Sequence, residues 1–147
     1  MTISNKGLKI IKEFEGFRAN AYQDSAGIWT IGYGTIRYDN GNKVKPGDTI
    51  GLDDAERLLI SDVTRRSGAV SGLIKKPVNQ NQFDALISFA YNLGVGALER
   101  STLLKKVNVN PEDPDIRGEF MKWVKAGGNV IQGLVNRRDR EADLYFS

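Results

Sequence analysis

Two carboxylates near the start of the chain, Glu15 and Asp24, are the first candidates for acid–base chemistry, and Thr30 follows them. Glu15 is followed by eight residues and then Asp24, and five further residues separate Asp24 from Thr30. The sequence contains neither histidine nor cysteine, which excludes disulfides, imidazole or thiolate metal sites and serine–histidine catalysis. Proton transfer must therefore depend on carboxylates, lysine or tyrosine.

Glu15 ends a segment whose apolar residues have helical spacing. Leu8 and Ile11 precede it by seven and four residues, so all three share one face of a helix, whereas Glu13 lies on the opposite, polar side. A carboxylate beside apolar side chains is desolvated, which favours its protonated form and suits a general acid. The alternative is a helix-end carboxylate paired with an arginine, and the spacing alone does not separate the two.

Asp24 and Thr30 lie in a segment that predicts a turn and a strand. An aspartate that opens a turn, as Asp24 does, usually binds the backbone two residues further on, so a structural role is the alternative. By itself Thr30 is an ordinary strand residue. Gly32 and Gly34 flank Tyr33 and allow a bulge or the close approach of a ligand.

The elements that must hold these residues begin with one helix and a small sheet. Helical spacing predicts a helix over residues 4–15, with Ser4 as its cap and Gly16 at its end. Residues 17–46 are rich in Gly, Tyr, Thr and Ile and predict a small antiparallel sheet. Asn40–Gly41 predicts a hairpin turn in which both central residues have positive φ.

The rest of the chain predicts helices, because apolar residues recur at helical spacing. The expected helices are Asp53 to Leu73, a segment from a capping box of Asn79 and Gln82 to the C-terminal cap Gly94, residues 102–107, residues 115–125 stopped by Gly127–Gly128, and Val135 to Tyr145. A small sheet followed by helices, without alternation, indicates an α+β fold. We expect a single domain over residues 1–147.

The composition limits the functional classes. The 147 residues, 40% hydrophobic and 27% charged, fit a soluble globular domain. No apolar run approaches the roughly 18 residues that cross a bilayer, and the first residues lack the features of a signal peptide. The net charge of +3 is spread evenly and no basic aromatic stripe is present, which disfavours a nucleic-acid binder. We expect no membrane insertion and no nucleic-acid partner.

Three separated parts of the sequence are similar to one protein family. The segment EFEGFRANAYQDSAGIWTIGYG resembles the catalytic segment of phage-type lysozymes, the endolysins of glycoside hydrolase family 24, whose glutamate, aspartate and threonine have the spacing of Glu15, Asp24 and Thr30. The resemblance continues through PVNQNQFDALISFAYNLGVGAL and STLLKKVN and ends with KWVKAGGNVIQGLVNRRDREADLY. It covers essentially the whole chain.

The resemblance implies hydrolysis of the β-1,4 bond between N-acetylmuramic acid and N-acetylglucosamine in bacterial peptidoglycan, with no metal or organic cofactor. Glu15 would be the general acid, while Asp24 and Thr30 would position the attacking water. Arg137 would reach the catalytic glutamate from the closing helix, and a solvated arginine is the alternative. Tyr33 is a candidate for lining the substrate cleft.

The resemblance also implies a fold and a biological setting. The fold is lysozyme-like, with a small antiparallel-sheet lobe over about residues 17–50, a larger helical lobe and the active-site cleft between them. A monomer is expected, which stays in the host cytoplasm until a holin permeabilises the membrane and then acts on the cell wall. Thr35 stands where many relatives have histidine, and we expect this to alter local contacts without displacing the catalytic trio.

Two alternative functions stay open at this point. A lytic transglycosylase also needs an acid, but it cyclises the muramoyl residue instead of admitting water, so the presence of Asp24 and Thr30 favours hydrolysis. A non-catalytic wall-binding module would keep only the fold, and the retention of all three polar residues disfavours it.

Overall fold

The structure is a computed structural model that describes every residue from Met1 to Ser147. The chain divides into two compact units. The sheet unit comprises Leu8–Arg65, and the helical unit comprises Met1–Gly7 together with Arg66–Ser147. Seven helices and two small antiparallel sheets confirm the predicted α+β class.

Seven helices and four strands follow one another along the chain. The helices are α1 Asn5–Glu15, α2 Leu52–Leu73, α3 Gln80–Leu93, α4 Val95–Arg100, α5 Thr102–Val109, α6 Ile116–Phe120 and α7 Gln132–Tyr145. The strands are β1 Arg18–Gln23, β2 Trp29–Gly32, β3 Lys125–Ala126 and β4 Asn129–Val130.

Local signals define both ends of α1. Ser4 Oγ accepts a hydrogen bond from the backbone N–H of Gly7 at 3.3 Å, which caps the first turn. The N–H of Gly16 donates to the carbonyl of Lys12 at 2.9 Å, which closes the last turn. The helix predicted over residues 4–15 is therefore confirmed.

The sheet unit is built around β1. This strand pairs antiparallel with β2, and Tyr22 lies directly opposite Thr30. On its other edge, the N–H of Ala21 donates to the carbonyl of Asp48 at 2.9 Å. The predicted small antiparallel sheet is confirmed and is extended by the segment around Asp48.

The helical unit is organised around α3, which is buried from Gln82 to Tyr91. Asn79 and Gln82 form the predicted capping box, so the start of this helix is confirmed. Phe89 packs edge-on against Phe120 and Trp123, with ring centroids 5.9 Å and 5.4 Å apart, and this arrangement is typical of aromatic cores.

Some predicted details are wrong. The helix expected over residues 115–125 ends at Phe120, and β3 and β4 form a hairpin around Gly127–Gly128. Both of these glycines have positive φ, so they form the turn type that was predicted for Asn40–Gly41. Asn40 does not have positive φ. The sequence analysis also missed α4.

No helix of the chain combines the length and the apolar character that a membrane span requires.

Candidate active site

Glu15 is the last residue of α1, and only two residues separate it from β1. Ile11, one turn earlier on the same face, is fully buried, whereas Leu8 and Glu15 are half-buried. Glu13 is exposed. Glu15 therefore lies on the apolar face of its helix at a point where the carboxylate keeps contact with solvent.

Asp24 opens the turn that connects β1 to β2. Its Oδ1 accepts hydrogen bonds from the N–H groups of Ala26 at 2.8 Å and Ile28 at 2.9 Å. Its own N–H donates to the carbonyl of Ile28 at 2.9 Å. Oδ2 accepts no hydrogen bond from the chain. One oxygen thus fixes the orientation of the carboxylate and the other stays available.

The backbone of Ile28 connects Asp24 to Thr30. The carbonyl that receives the N–H of Asp24 also accepts the hydroxyl of Thr30, with the oxygens 2.9 Å apart. Thr30 is only 4% exposed, so this hydroxyl is held firmly. Because its proton is donated to Ile28, Thr30 Oγ1 can act only as an acceptor toward a further group.

Tyr33 lies in a tight turn rather than in the expected strand. The backbones of Ile31 and Thr35 exchange two hydrogen bonds of 2.9 Å across this turn. The Tyr33 ring is buried against Phe17, with centroids 5.8 Å apart, and Lys12 Nζ lies 5.9 Å from its centre. Its predicted role in lining a cleft stays a prediction.

Thr35 occupies the position at which the sequence departs from the expected motif. It is buried, and its Oγ1 has no hydrogen-bond partner. The backbone of Thr35 nevertheless pairs with Ile31, so the turn is closed without help from the side chain.

Arg137 lies on α7 in the helical unit and is 4% exposed. Its Nε donates to Glu141 Oε2 at 3.3 Å, and its Nη2 donates to the carbonyl of Ser88 at 3.2 Å. The alternative of a solvated arginine is therefore wrong. Its predicted role beside Glu15 stays a prediction.

A buried polar cluster around Glu141 escaped the sequence analysis. Glu141 is fully buried, receives the hydroxyl of Ser88 at 2.6 Å and lies 2.9 Å from Arg138 Nε. Burial raises the pKa of Glu141 and lowers that of Arg138, and their opposite charges counteract both shifts. The spacing of Arg137, Arg138 and Glu141 on one helix was the signal that could have found the cluster.

Candidate metal sites are absent from the chain: no group of three or more acidic side chains is placed to hold an ion.

The chain resembles known proteins in sequence and in fold. The family model described as phage lysozyme matches residues 12–141. The chain belongs to the phage lysozyme family. This match confirms the family expected from the sequence, which is a family of lysozyme-type hydrolases.

Individual relatives of the chain support its assignment to the phage lysozyme family. The chain is 44% identical over 149 residues to the endolysin of Bacillus phage B103, covering 100% of this chain and 55% of that protein. It is 44% identical to the structure of the endolysin from Escherichia coli O157:H7 phage FAHEc1, with a TM-score of 0.92 and coverage of 100% and 94%.

A third comparison concerns the muramidase domain of SpmX from Asticaccaulis excentricus. This structure has 34% identity and a TM-score of 0.88, and the match covers 99% of this chain and 98% of that domain. The lysozyme-like fold expected from the sequence is confirmed. The chain spans only about half the length of the Bacillus phage endolysin, whereas it spans nearly all of the two solved structures.

Proposed function

We propose that the chain hydrolyses the β-1,4 bond between N-acetylmuramic acid and N-acetylglucosamine in bacterial peptidoglycan. Membership of the phage lysozyme family supports this chemistry, and so does the likeness to a protein named as a muramidase domain. The observation that carries the proposal is the asymmetry of Asp24. Its Oδ1 is held by two N–H groups, while its Oδ2 accepts no hydrogen bond from the chain, and the backbone of Ile28 connects Asp24 to the fixed hydroxyl of Thr30.

Glu15 is the general acid of this proposal. It donates its proton to the oxygen of the leaving sugar, so that the glycosidic bond breaks without releasing an alkoxide. A half-buried position at the end of α1 suits this role, since Glu15 shares a helix face with the buried Ile11 and is partly exposed to solvent.

Asp24 and Thr30 orient the attacking water. Because the proton of Thr30 is donated to the carbonyl of Ile28, the water donates one hydrogen to Thr30 Oγ1 and the other to Asp24 Oδ2. A lone pair of the water then attacks the anomeric carbon, and Asp24 accepts the proton. This is a single displacement with inversion, in which the two carboxyl groups typically lie about 6.5–9.5 Å apart.

The roles of Arg137 and Tyr33 are less direct in this scheme. We propose that Arg137 supports the general acid, Glu15. Only the family resemblance supports this role. Tyr33 is proposed to contact the glycan.

Glu15→Gln tests the acid, because an amide has no proton of suitable acidity to donate. We expect lysis of permeabilised cells to fall at least about a hundred-fold while the fold is retained. Glu13→Gln on the same helix is the matched control and should keep full activity. Equal activity of Glu15→Gln and the parent would refute the assignment.

Digestion in heavy-oxygen water tests the attack by water. Hydrolysis places one heavy oxygen on each new reducing muramic acid end, whereas anhydro ends without heavy oxygen would identify a lytic transglycosylase. Absence of any cleavage would identify a wall-binding module. The anomer formed first tests inversion, and retention would make Asp24 a nucleophile.

The biological setting is also a proposal that the family resemblance carries. We propose that a monomer accumulates in the host cytoplasm and reaches the wall after a holin opens the membrane. Expression alone should leave cells intact, and addition of a membrane-permeabilising agent should cause lysis. Lysis without that agent would contradict the dependence on a holin, and size-exclusion chromatography would test the monomer.

A further inference from the structure

An arginine in the sheet unit has no partner of opposite charge. Arg18, the first residue of β1, is exposed, and its guanidinium carbon lies 4.2 Å from the ring centre of Tyr22. The guanidinium forms no ion pair or hydrogen bond with the chain. Stacking on the ring restrains the guanidinium plane, while all five N–H donors stay available to a ligand.

Two other arginines of the chain are paired with carboxylates. Arg57 lies 2.7 Å from Asp39, and Arg117 lies 2.6 Å from Asp143. Arg18 differs because an aromatic ring holds it instead of an anion. Such a side chain is ordered before binding and loses less conformational freedom when it captures a ligand.

The position of this stacked pair connects it to the candidate active site. Tyr22 is directly opposite Thr30 in the β1–β2 register, and directly opposite residues of an antiparallel pair extend from the same face of the sheet. Two residues beyond Tyr22, the chain reaches Asp24. The Arg18–Tyr22 pair therefore flanks the residues that are proposed to hold water.

We propose that Arg18, oriented by Tyr22, binds a carboxylate of the substrate. A guanidinium matches a carboxylate with two parallel hydrogen bonds. This inference rests on the proposed function, since peptidoglycan carries carboxylates on its peptide substituents and, where the peptide is removed, on the lactyl group of muramic acid. Arg18 is a substrate-binding residue that discriminates peptidoglycan from uncharged glycans.

The test combines a variant with a modified substrate. Peptidoglycan is compared with the same material after its carboxyl groups have been converted to amides. On native material, we expect Arg18→Met to lower kcat/KM about five-fold to ten-fold through KM, with kcat unchanged. On amidated material, the parent and Arg18→Met should be equal.

Arg37→Met is the matched control for the loss of one positive charge, because Arg37 is also exposed but donates to the carbonyl of Gly41. It should behave as the parent does on both substrates. An equal loss for Arg18→Met on both substrates, or an equal loss for Arg37→Met, would overturn the proposal.

Tyr22 variants test how Arg18 is oriented. Tyr22→Phe keeps the ring and should keep the native KM, whereas Tyr22→Leu should raise it, with thermal unfolding measured to check the fold. No difference between the two would overturn the role of stacking.

Peptidoglycan stripped of its peptides by an amidase identifies the carboxylate. If the Arg18→Met defect disappears on this material, a peptide carboxylate binds Arg18, and if it persists, the lactyl carboxylate that the amidase sets free binds Arg18 as well. Failure of the proposed function would look different, since the parent would then release no reducing ends from native peptidoglycan.

Discussion

Two turns of the sheet unit have the same pattern of backbone hydrogen bonds. They differ in whether their polar side-chain atoms are paired within the chain. In the first, the N–H of Asp24 donates to the carbonyl of Ile28, and the N–H of Gly27 donates to the carbonyl of Asp24. In the second, the N–H of Tyr38 donates to the carbonyl of Asn42, and the N–H of Gly41 donates to the carbonyl of Tyr38. All four bonds are 2.9 Å long.

Three polar side chains of the second turn are paired within the chain. Tyr38 donates its hydroxyl to Asp48 at 2.7 Å, Asn40 Oδ1 accepts the N–H of Asn42, and Asp39 binds Arg57 on α2. In the first turn, Asp24 keeps one carboxylate oxygen without a partner. The same frame therefore pairs its side chains in one place, and in the other it holds an available carboxylate oxygen at a fixed position.

Of the variants that test this comparison, Asp24→Asn should cause the largest loss of lytic activity. The amide oxygen can still accept the two N–H groups, so the turn is retained, but no base is left to take a proton. We expect a loss of activity of at least about a hundred-fold. Asn40→Ala in the second turn should cost roughly 1 kcal/mol of unfolding free energy and leave lytic rates unchanged. An active Asp24→Asn would remove Asp24 from the mechanism.

Thr30→Val should have the next largest effect. The carbonyl of Ile28 keeps its bond from Asp24, but the acceptor for the water is lost, and we expect kcat to fall about a hundred-fold. Thr35→Val is the matched control, because the buried hydroxyl of Thr35 has no partner. It should be active and as stable as the parent or more stable, as measured by denaturant unfolding. Similar kinetics for both variants would show that Thr30 is structural.

Gly27→Ala and Gly41→Ala compare the two frames directly. Both glycines have positive φ, 79° and 88°, and nothing lies within 4 Å of an added Cβ. Each substitution should therefore destabilise by about 1 kcal/mol through backbone strain alone. Only Gly27→Ala should also lower the lytic rate, about ten-fold, because the strain moves Asp24. Lytic rates measured well below the unfolding temperature separate this effect from the loss of stability.

The smallest expected effect is a change in stability at alkaline pH, and it concerns Tyr38 in the second turn. Burial and the neighbouring Asp48 raise the pKa of Tyr38 from 10.0 to about 12. The folded state holds this proton more tightly than the unfolded chain does, so its contribution to stability is complete below pH 10 and is lost as the pH approaches 12. Urea unfolding from pH 9 to pH 12 should show a steeper loss for the parent than for Tyr38→Phe. Equal slopes would mean that Tyr38 does not contribute.

Local signals in the sequence were sufficient for much of this architecture. The capping box of Asn79 and Gln82 fixes the start of α3 because both of its hydrogen bonds form between residues three positions apart. The turn at Asp24 was predictable for the same reason. Helical spacing indicated Glu15 as a candidate, the family resemblance added Asp24 and Thr30 to it, and the roles of all three stay predictions.

Features that depend on distant residues were not predictable. The burial of Arg137 depends on the Ser88 carbonyl, 49 residues away in sequence. Two-residue strands such as β3 and β4 carry no periodicity, so Gly127–Gly128 indicated a helix stop instead of a hairpin. The available oxygen of Asp24 follows from the direction of the N–H of Ile28, which no residue type encodes.

The junction at Ile28 has a consequence for how this protein can vary. Asp24 and Thr30 are joined through the N–H and carbonyl of residue 28, groups that every amino acid except proline supplies in full. The Ile28 side chain itself is 47% exposed and takes no part in the junction. The surface beside the candidate site can therefore be altered, by mutation in nature or by design in the laboratory, while the internal geometry of the Asp24–Thr30 pair is inherited unchanged.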